Sequence, residues 1–142
     1  PAQCLVSRRD RVPTPGHLTG TRWAADAEGT LGHLSALQLA RALGLPVASV
    51  GAAAGGDPQA ILLLAVGGST ERALQLGAGC ADCALLRVEE ALVLLRERPG
   101  VFQVLLGPEE LAAMIPEQAH AVLAASEALL LARPGDCLRL VR

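Results

Sequence analysis

Six consecutive apolar residues, Ile61-Leu62-Leu63-Leu64-Ala65-Val66, run without a polar break into Gly67-Gly68-Ser69-Thr70. That length suits a strand better than a helix, and the missing polar alternation means that both strand faces are buried. A strand buried on both faces belongs inside a mostly parallel sheet with helices packed on either side. The flanking chain supplies the matching pieces. Gln3-Cys4-Leu5-Val6-Ser7 reads as a first strand. Thr30 caps a helix with apolar positions at Leu31, Leu34, Leu37 and Leu39, which Gly44 and Pro46 stop. Strands follow at 47–50, 84–88 and 101–106, with helices at 71–76 and 89–98. Gly107-Pro108 opens a further helix, Pro116 breaks it, a second runs to about Arg133, and 137–141 closes as a strand. Residues 8–29, with Pro13, Pro15, Gly16 and Gly20, read as one long irregular excursion that Trp23 pins to the body. The alternation predicts a single α/β domain over residues 1–142, in three layers: a mostly parallel sheet with helices on both faces.

Composition narrows the function. A chain of 142 residues buries roughly 68–70% of its unfolded surface, enough for a real core. That core is aliphatic, because the chain has one Trp, one Phe and no Tyr. All 12 basic residues are arginine. A phosphate contact must therefore come from arginine, backbone amides or hydroxyls. The net charge of −2 argues against a nucleic-acid surface, which needs a basic stripe. No apolar run approaches the ~20 residues that cross a bilayer. Arg8, Asp10 and Arg11 come too early for a secretory leader, so a cytoplasmic setting is expected, with Cys4, Cys80, Cys83 and Cys137 as reduced thiols.

Two turns have the makings of a phosphate cradle. At Gly67-Gly68-Ser69-Thr70 the glycines admit close backbone approach, the next amides open a helix, and two hydroxyls can donate. The plainer alternative is a strand–helix connection with Ser69 or Thr70 as N-cap. Gly107-Pro108-Glu109-Glu110 is the second, although its carboxylates would repel phosphate. Ligands of open parallel sheets sit outside the strands' carboxyl ends. Ser7-Arg8-Arg9, Gly51, Gly67 to Thr70 and Gly107 are all expected on that edge. Cys80-Ala81-Asp82-Cys83 is a C-x-x-C, but it follows a helix instead of opening one, so the usual thiol activation is missing. A zinc site would need two more ligands at a matching spacing. His17, His33 and His120 are isolated, and no G-x-S-x-G elbow is present. No catalytic residue or metal ligand is assigned, and whether the chain is an enzyme stays open.

Several segments, in order, resemble the beta subunit of electron-transfer flavoproteins and its adenine-nucleotide-binding α/β domain. Cys4-Leu5-Val6-Ser7-Arg8-Arg9 with Val12-Pro13-Thr14-Pro15 is similar to that family's first strand and proline-bearing loop. Ser35-Ala36-Leu37-Gln38-Leu39-Ala40-Arg41-Ala42-Leu43 resembles its next helix, and the strand ending at Val50-Gly51 its second strand. Glu71-Arg72-Ala73-Leu74-Gln75-Leu76-Gly77-Ala78, then Ala84 to Val88 and Val101 to Gly107, resemble the later helix and strands. The run Ile61 to Val66 is extra to the family pattern, and residues 108–115 do not match its nucleotide signature. The resemblance implies a domain that binds AMP or the adenylate part of FAD and passes electrons with a partner subunit. Ser7, Arg8, Arg9, Gly51, Gly67, Gly68, Ser69, Thr70 and Gly107 would then face the cofactor. Two other classes are carried beside it: a non-catalytic α/β interaction module of a larger assembly, and a thiol redox or zinc protein using Cys80 and Cys83.

Overall fold

The computed structural model describes residues 2–48 and 57–115. In chain order these form β1 (Gln3–Arg8), a 3-10 turn (Pro15–His17), β2 (Arg22–Ala25), α1 (Leu31–Ala42), β3 (Val47–Ala48), β4 (Ile61–Ala65), α2 (Ser69–Gly77), β5 (Cys83–Arg87), α3 (Val88–Glu97), β6 (Phe102–Leu106) and α4 (Pro108–Met114). The strands make one sheet in the order β3-β4-β2-β5-β1-β6. β3 runs parallel to β4, β4 to β2, and β2 to β5. β1 lies between β5 and β6 and is antiparallel to both. The sheet is thus mixed, with one reversed strand in its interior.

Two apolar layers lie on opposite faces. One gathers Leu5, Trp23, Ala25, Ile61, Leu63 and Leu85 beneath Ala36, Leu39 and Ala40 of α1 and Leu111 of α4. The other gathers Cys4, Val6, Ala24, Ala84 and Leu86 beneath Leu76 of α2 and Ala91 of α3. Neighbouring residues of one strand go to opposite layers, as the period of two requires. Crossovers that run in opposite directions along the sheet, β2-α1-β3 and β4-α2-β5, keep the usual right-handed sense when their helices take opposite faces. The three-layer α/β architecture expected from the sequence is present.

Three expectations change. Residues 22–25 are not part of an irregular excursion: they form β2, paired on both sides, with Trp23 buried and its indole N–H donating to Thr21 Oγ1 at 3.0 Å. α2 starts at Ser69, with Gly68 and not a hydroxyl residue as its N-cap. β1 is reversed, which moves its end to the other rim. Gly51, His120, Cys137, the outer part of strand 47–50, the helix to Arg133 and the closing strand lie outside the described residues. No helix among the described residues is long and apolar enough to cross a membrane.

Candidate functional site

The chain leaves β2 towards β3 on one side and leaves β5 towards β6 on the other. Adjacent strands whose connections depart in opposite directions leave a crevice outside their carboxyl ends, where ligands of open sheets sit. The groups lining it come from three turns. After β2 the chain gives Asp26 and then Thr30, the N-cap of α1, whose Oγ1 accepts from His33 N at 3.1 Å. After β4 come Gly67, held at φ 123° where side chains are strained, and Gly68. At the end of β5 stands Arg87, the N-cap of α3, and the first turn of α3 adds Glu89 and Glu90.

Arg72 is the buried member of this group. It is 4% exposed, its Nε donates to Leu85 O at 2.7 Å, and its Nη1 donates to Gly67 O. Asp26 Oδ2 stands 3.9 Å from the same Nη1. Burial pulls the Arg72 pKa below its ordinary value, while the charges of Asp26 and Glu90 oppose the shift. The carboxylate of Asp26 reaches this place because residue 32 is glycine: a Cβ there would lie 2.7 Å from Asp26 Oδ2.

The hydroxyls of the glycine turn are already engaged. Ser69 Oγ accepts from Arg87 N at 3.1 Å, and the Ser69 and Thr70 hydroxyls face the Glu90 carboxylate and help to lower its pKa. Burial would raise the Glu90 pKa. The bonds from Arg87 (3.2 and 2.8 Å), Ser69 and Thr70 outweigh that and hold it below the usual carboxylate value.

The expected site residues do not all meet. Gly67, Gly68, Ser69 and Thr70 stand at the carboxyl end of β4. Gly107 shares the carboxyl rim, but β6 stands four strand positions from β4, roughly 19 Å at the usual strand spacing. Ser7, Arg8 and Arg9 are at the opposite rim, because reversed β1 sets Ser7 against Cys83, the first residue of β5. There Ser7 Oγ donates to Val12 O at 2.9 Å, and Arg9 Nε donates to Phe102 O at 3.4 Å. Arg8 Nη1 donates to Leu76 O at 2.9 Å, at the C-terminus of α2. The placing of the paired arginines beside the glycine turn is therefore corrected.

The same amino rim holds Asp82, which is buried and accepts from Arg22 N at 2.9 Å, with Arg11 and Arg22 guanidinium groups at 3.4 and 3.3 Å. Cys80 is exposed and Cys83 buried, and burial, helped by the Asp82 charge, pushes the Cys83 thiol far up. Burial also raises the Cys4 thiol to about 11. Neither is a thiolate near neutral pH. Among the described residues no group of three or more His, Cys, Asp or Glu side chains could hold a metal ion.

Sequence reading missed Asp26, Arg72, Asp82 and Glu90. A signal for Arg72 existed, since positions 69, 72 and 76 share the buried face of α2. A charged residue on such a face needs partners.

No protein-family model matches the chain, and neither does any curated protein. Solved structures do. XAC2383 from Xanthomonas citri bound to ATP matches with TM-score 0.55 at 18% identity, over 73% of this chain and 40% of its own. The same protein bound to chloride ion gives TM-score 0.56 at 16% identity over the same shares. A protein from Bordetella bronchiseptica RB50 gives 0.51 at 14% identity, over 86% of this chain and 42% of its own. The chain thus spans about two fifths of the length of these three structures, and at these identities the likeness shows the α/β fold alone.

Proposed function

We propose that this chain is a small-molecule-binding α/β lobe whose ligand sits outside the carboxyl ends of β2, β4 and β5. The observation that carries this reading is the departure of the chain from β2 and β5 in opposite directions, with Arg72 and Asp26 paired at the rim between them. XAC2383, which shares the fold, holds ATP in one structure and chloride in another. An adenylate, as AMP, ATP or the adenylate half of FAD, is accordingly the first ligand to try. Its phosphate would meet the amides after Gly68 and the arginines of this rim, not Arg8 and Arg9. Electron transfer with a partner subunit is a narrower form of the same proposal. Trp23 and Phe102, buried in the core, offer a flavin ring no stacking face. Free thiols at Cys4, Cys80 and Cys83 fit a cytoplasmic setting within this reading.

Calorimetric titration with AMP, ATP and FAD tests the proposal, repeated on Gly68→Val. A Cβ at Gly68 meets only the flexible tip of Glu71, 2.8 Å away, so the variant is expected to fold, which its urea unfolding checks, while adding bulk at the carboxyl end of β4. At least one ligand should bind, at least tenfold more weakly to the variant. Equal binding by both proteins, or none by the native chain, refutes it. The interaction-module reading draws on exposed Leu92 and Val93 of α3 and Leu31 and Leu34 of α1. A stable oligomer that binds none of the ligands would favour it.

A further inference from the structure

Arg72 has more hydrogen-bonding capacity than its surroundings use. A guanidinium carries five N–H donors in a planar fork. Nε is spent on Leu85 O and Nη1 on Gly67 O, while Nη2 has no acceptor among the described residues. The group is 4% exposed, and Nη2 is its spare donor, not an orphan sealed from solvent: among the described residues only His33 Nδ1 is both sealed and unpartnered. Asp26, 3.9 Å from Nη1, balances the charge but stands outside hydrogen-bond distance. Among the described residues its Oδ1 accepts only from the Ala27 amide, at 2.8 Å, and its side chain is 31% exposed, so it can turn out to water. Of the two other carboxylates near Arg72, Glu90 is held by Arg87, and Glu71 stands beside Gly68, where a ligand would have to push it aside.

We infer that Arg72 is the anchor for an oxyanion of the ligand, and that Asp26 is the counter-charge that this oxyanion replaces. This rests on the carboxyl-rim reading above. A carboxylate or a phosphate can take the free edge of the fork with two oxygens, which Asp26 does not reach. The ligand is therefore anionic at the end that enters first, and Asp26 is its competitor. Removing the competitor must tighten binding, a sign opposite to that of an ordinary site mutation.

The test follows the Arg72 Nε–H resonance and the amides of residues 68–71 by NMR, in the native chain and in Asp26→Asn. Inorganic phosphate, acetate and methylammonium are titrated separately. The expected result is a shift of the Arg72 signal with phosphate or acetate, at a midpoint about tenfold lower in Asp26→Asn. The tighter of the two anions tells a phosphorylated ligand from a carboxylic one. Arg72→Lys, which keeps the charge and loses the fork, should weaken the same anion about tenfold. If that variant does not fold, the Asp26→Asn comparison still decides. An unchanged or higher midpoint in Asp26→Asn overturns the inference. Rim amides that respond to methylammonium or a nucleotide while Arg72 stays still also overturn it and leave the carboxyl-rim reading standing. Rim amides that respond to no probe and no nucleotide remove both.

Discussion

The absence of lysine and tyrosine makes this chain a clean system for one measurement. Between pH 8 and 11 its arginines stay charged, and only thiols and the terminal amine titrate. Of the three described thiols two are buried: Cys4 is 2% exposed and Cys83 is fully buried. Burial raises Cys4 from the ordinary 9.0 to about 11 and lifts Cys83 further still. Above pH 9 the unfolded chain therefore releases protons that the native chain keeps. The native state binds more protons, so stability falls as pH rises. Their contribution is fully present below pH 9. Each thiol removes about 1.4 kcal/mol per pH unit, so the pair removes about 3 kcal/mol by pH 10. Cys4 stops contributing near pH 11, where its native thiol ionises, and Cys83 continues. Urea unfolding at pH 7.5, 9 and 10 under reducing conditions reads this directly. The control is the Cys4→Ala/Cys83→Ala double variant, which should be less stable at pH 7.5 yet nearly flat to pH 10. Cys80 and Cys137 remain in both proteins and cancel. A double variant that loses as much stability as the native chain between pH 7.5 and 10 would show the reasoning wrong.

Two further outcomes are expected. Arg8→Met removes a donor to the last carbonyls of α2 and should cost about 1 kcal/mol in urea unfolding. It should leave ligand affinity at the carboxyl rim unchanged, and a large loss of affinity would contradict the placing of β1's end. Gly32→Ala sets helix propensity, a gain of about 0.5–1 kcal/mol, against a clash. The new Cβ would stand 2.7 Å from Asp26 Oδ2, which rotation relieves, and 2.8 Å from Asp26 Cβ, which rotation does not. A net loss of about 1–2 kcal/mol follows, and a net gain in the unfolding midpoint would refute the packing.

The elements legible in the sequence are those whose cause is local. The run Ile61 to Val66 announces its burial by length and composition, and Thr30 announces α1 because a capping hydroxyl acts within one turn. β2 was illegible for the opposite reason. Arg22-Trp23-Ala24-Ala25 is short and carries two alanines with little strand preference, and it is a strand because β4 and β5 pair with it from either side. The direction of β1 is equally non-local. The loop after it is tied down by Gln103, a residue nearly a hundred positions away, whose Nε2 donates to Val12 O at 2.9 Å and Pro13 O at 2.8 Å. The glycine turn at Gly67 was legible as a turn, but its occupation by Glu90 and Arg87 was not.

That single reversed strand decides which polar residues can act together. α2 joins the two rims. Its first turn, with Ser69, Thr70 and Arg72, opens on the crevice, and its last carbonyls, Leu76 and Gly77, take Arg8 and Arg98. Arg8 and Arg98 also lie over the Phe102 ring, at 5.5 and 5.1 Å from its centroid. Arg11 and Arg22 are committed to Asp82. In a chain without lysine, arginine must do the structural work of cation and hydrogen-bond donor together, and the amino rim uses these four for it. What is left for a ligand at the carboxyl rim is the uncommitted edge of Arg72 and, beside it, Arg87, half exposed and already shared with Glu90. On the carboxyl-rim reading proposed above, a ligand would be selected by the spare edge of Arg72, set between carboxylates that it must outcompete.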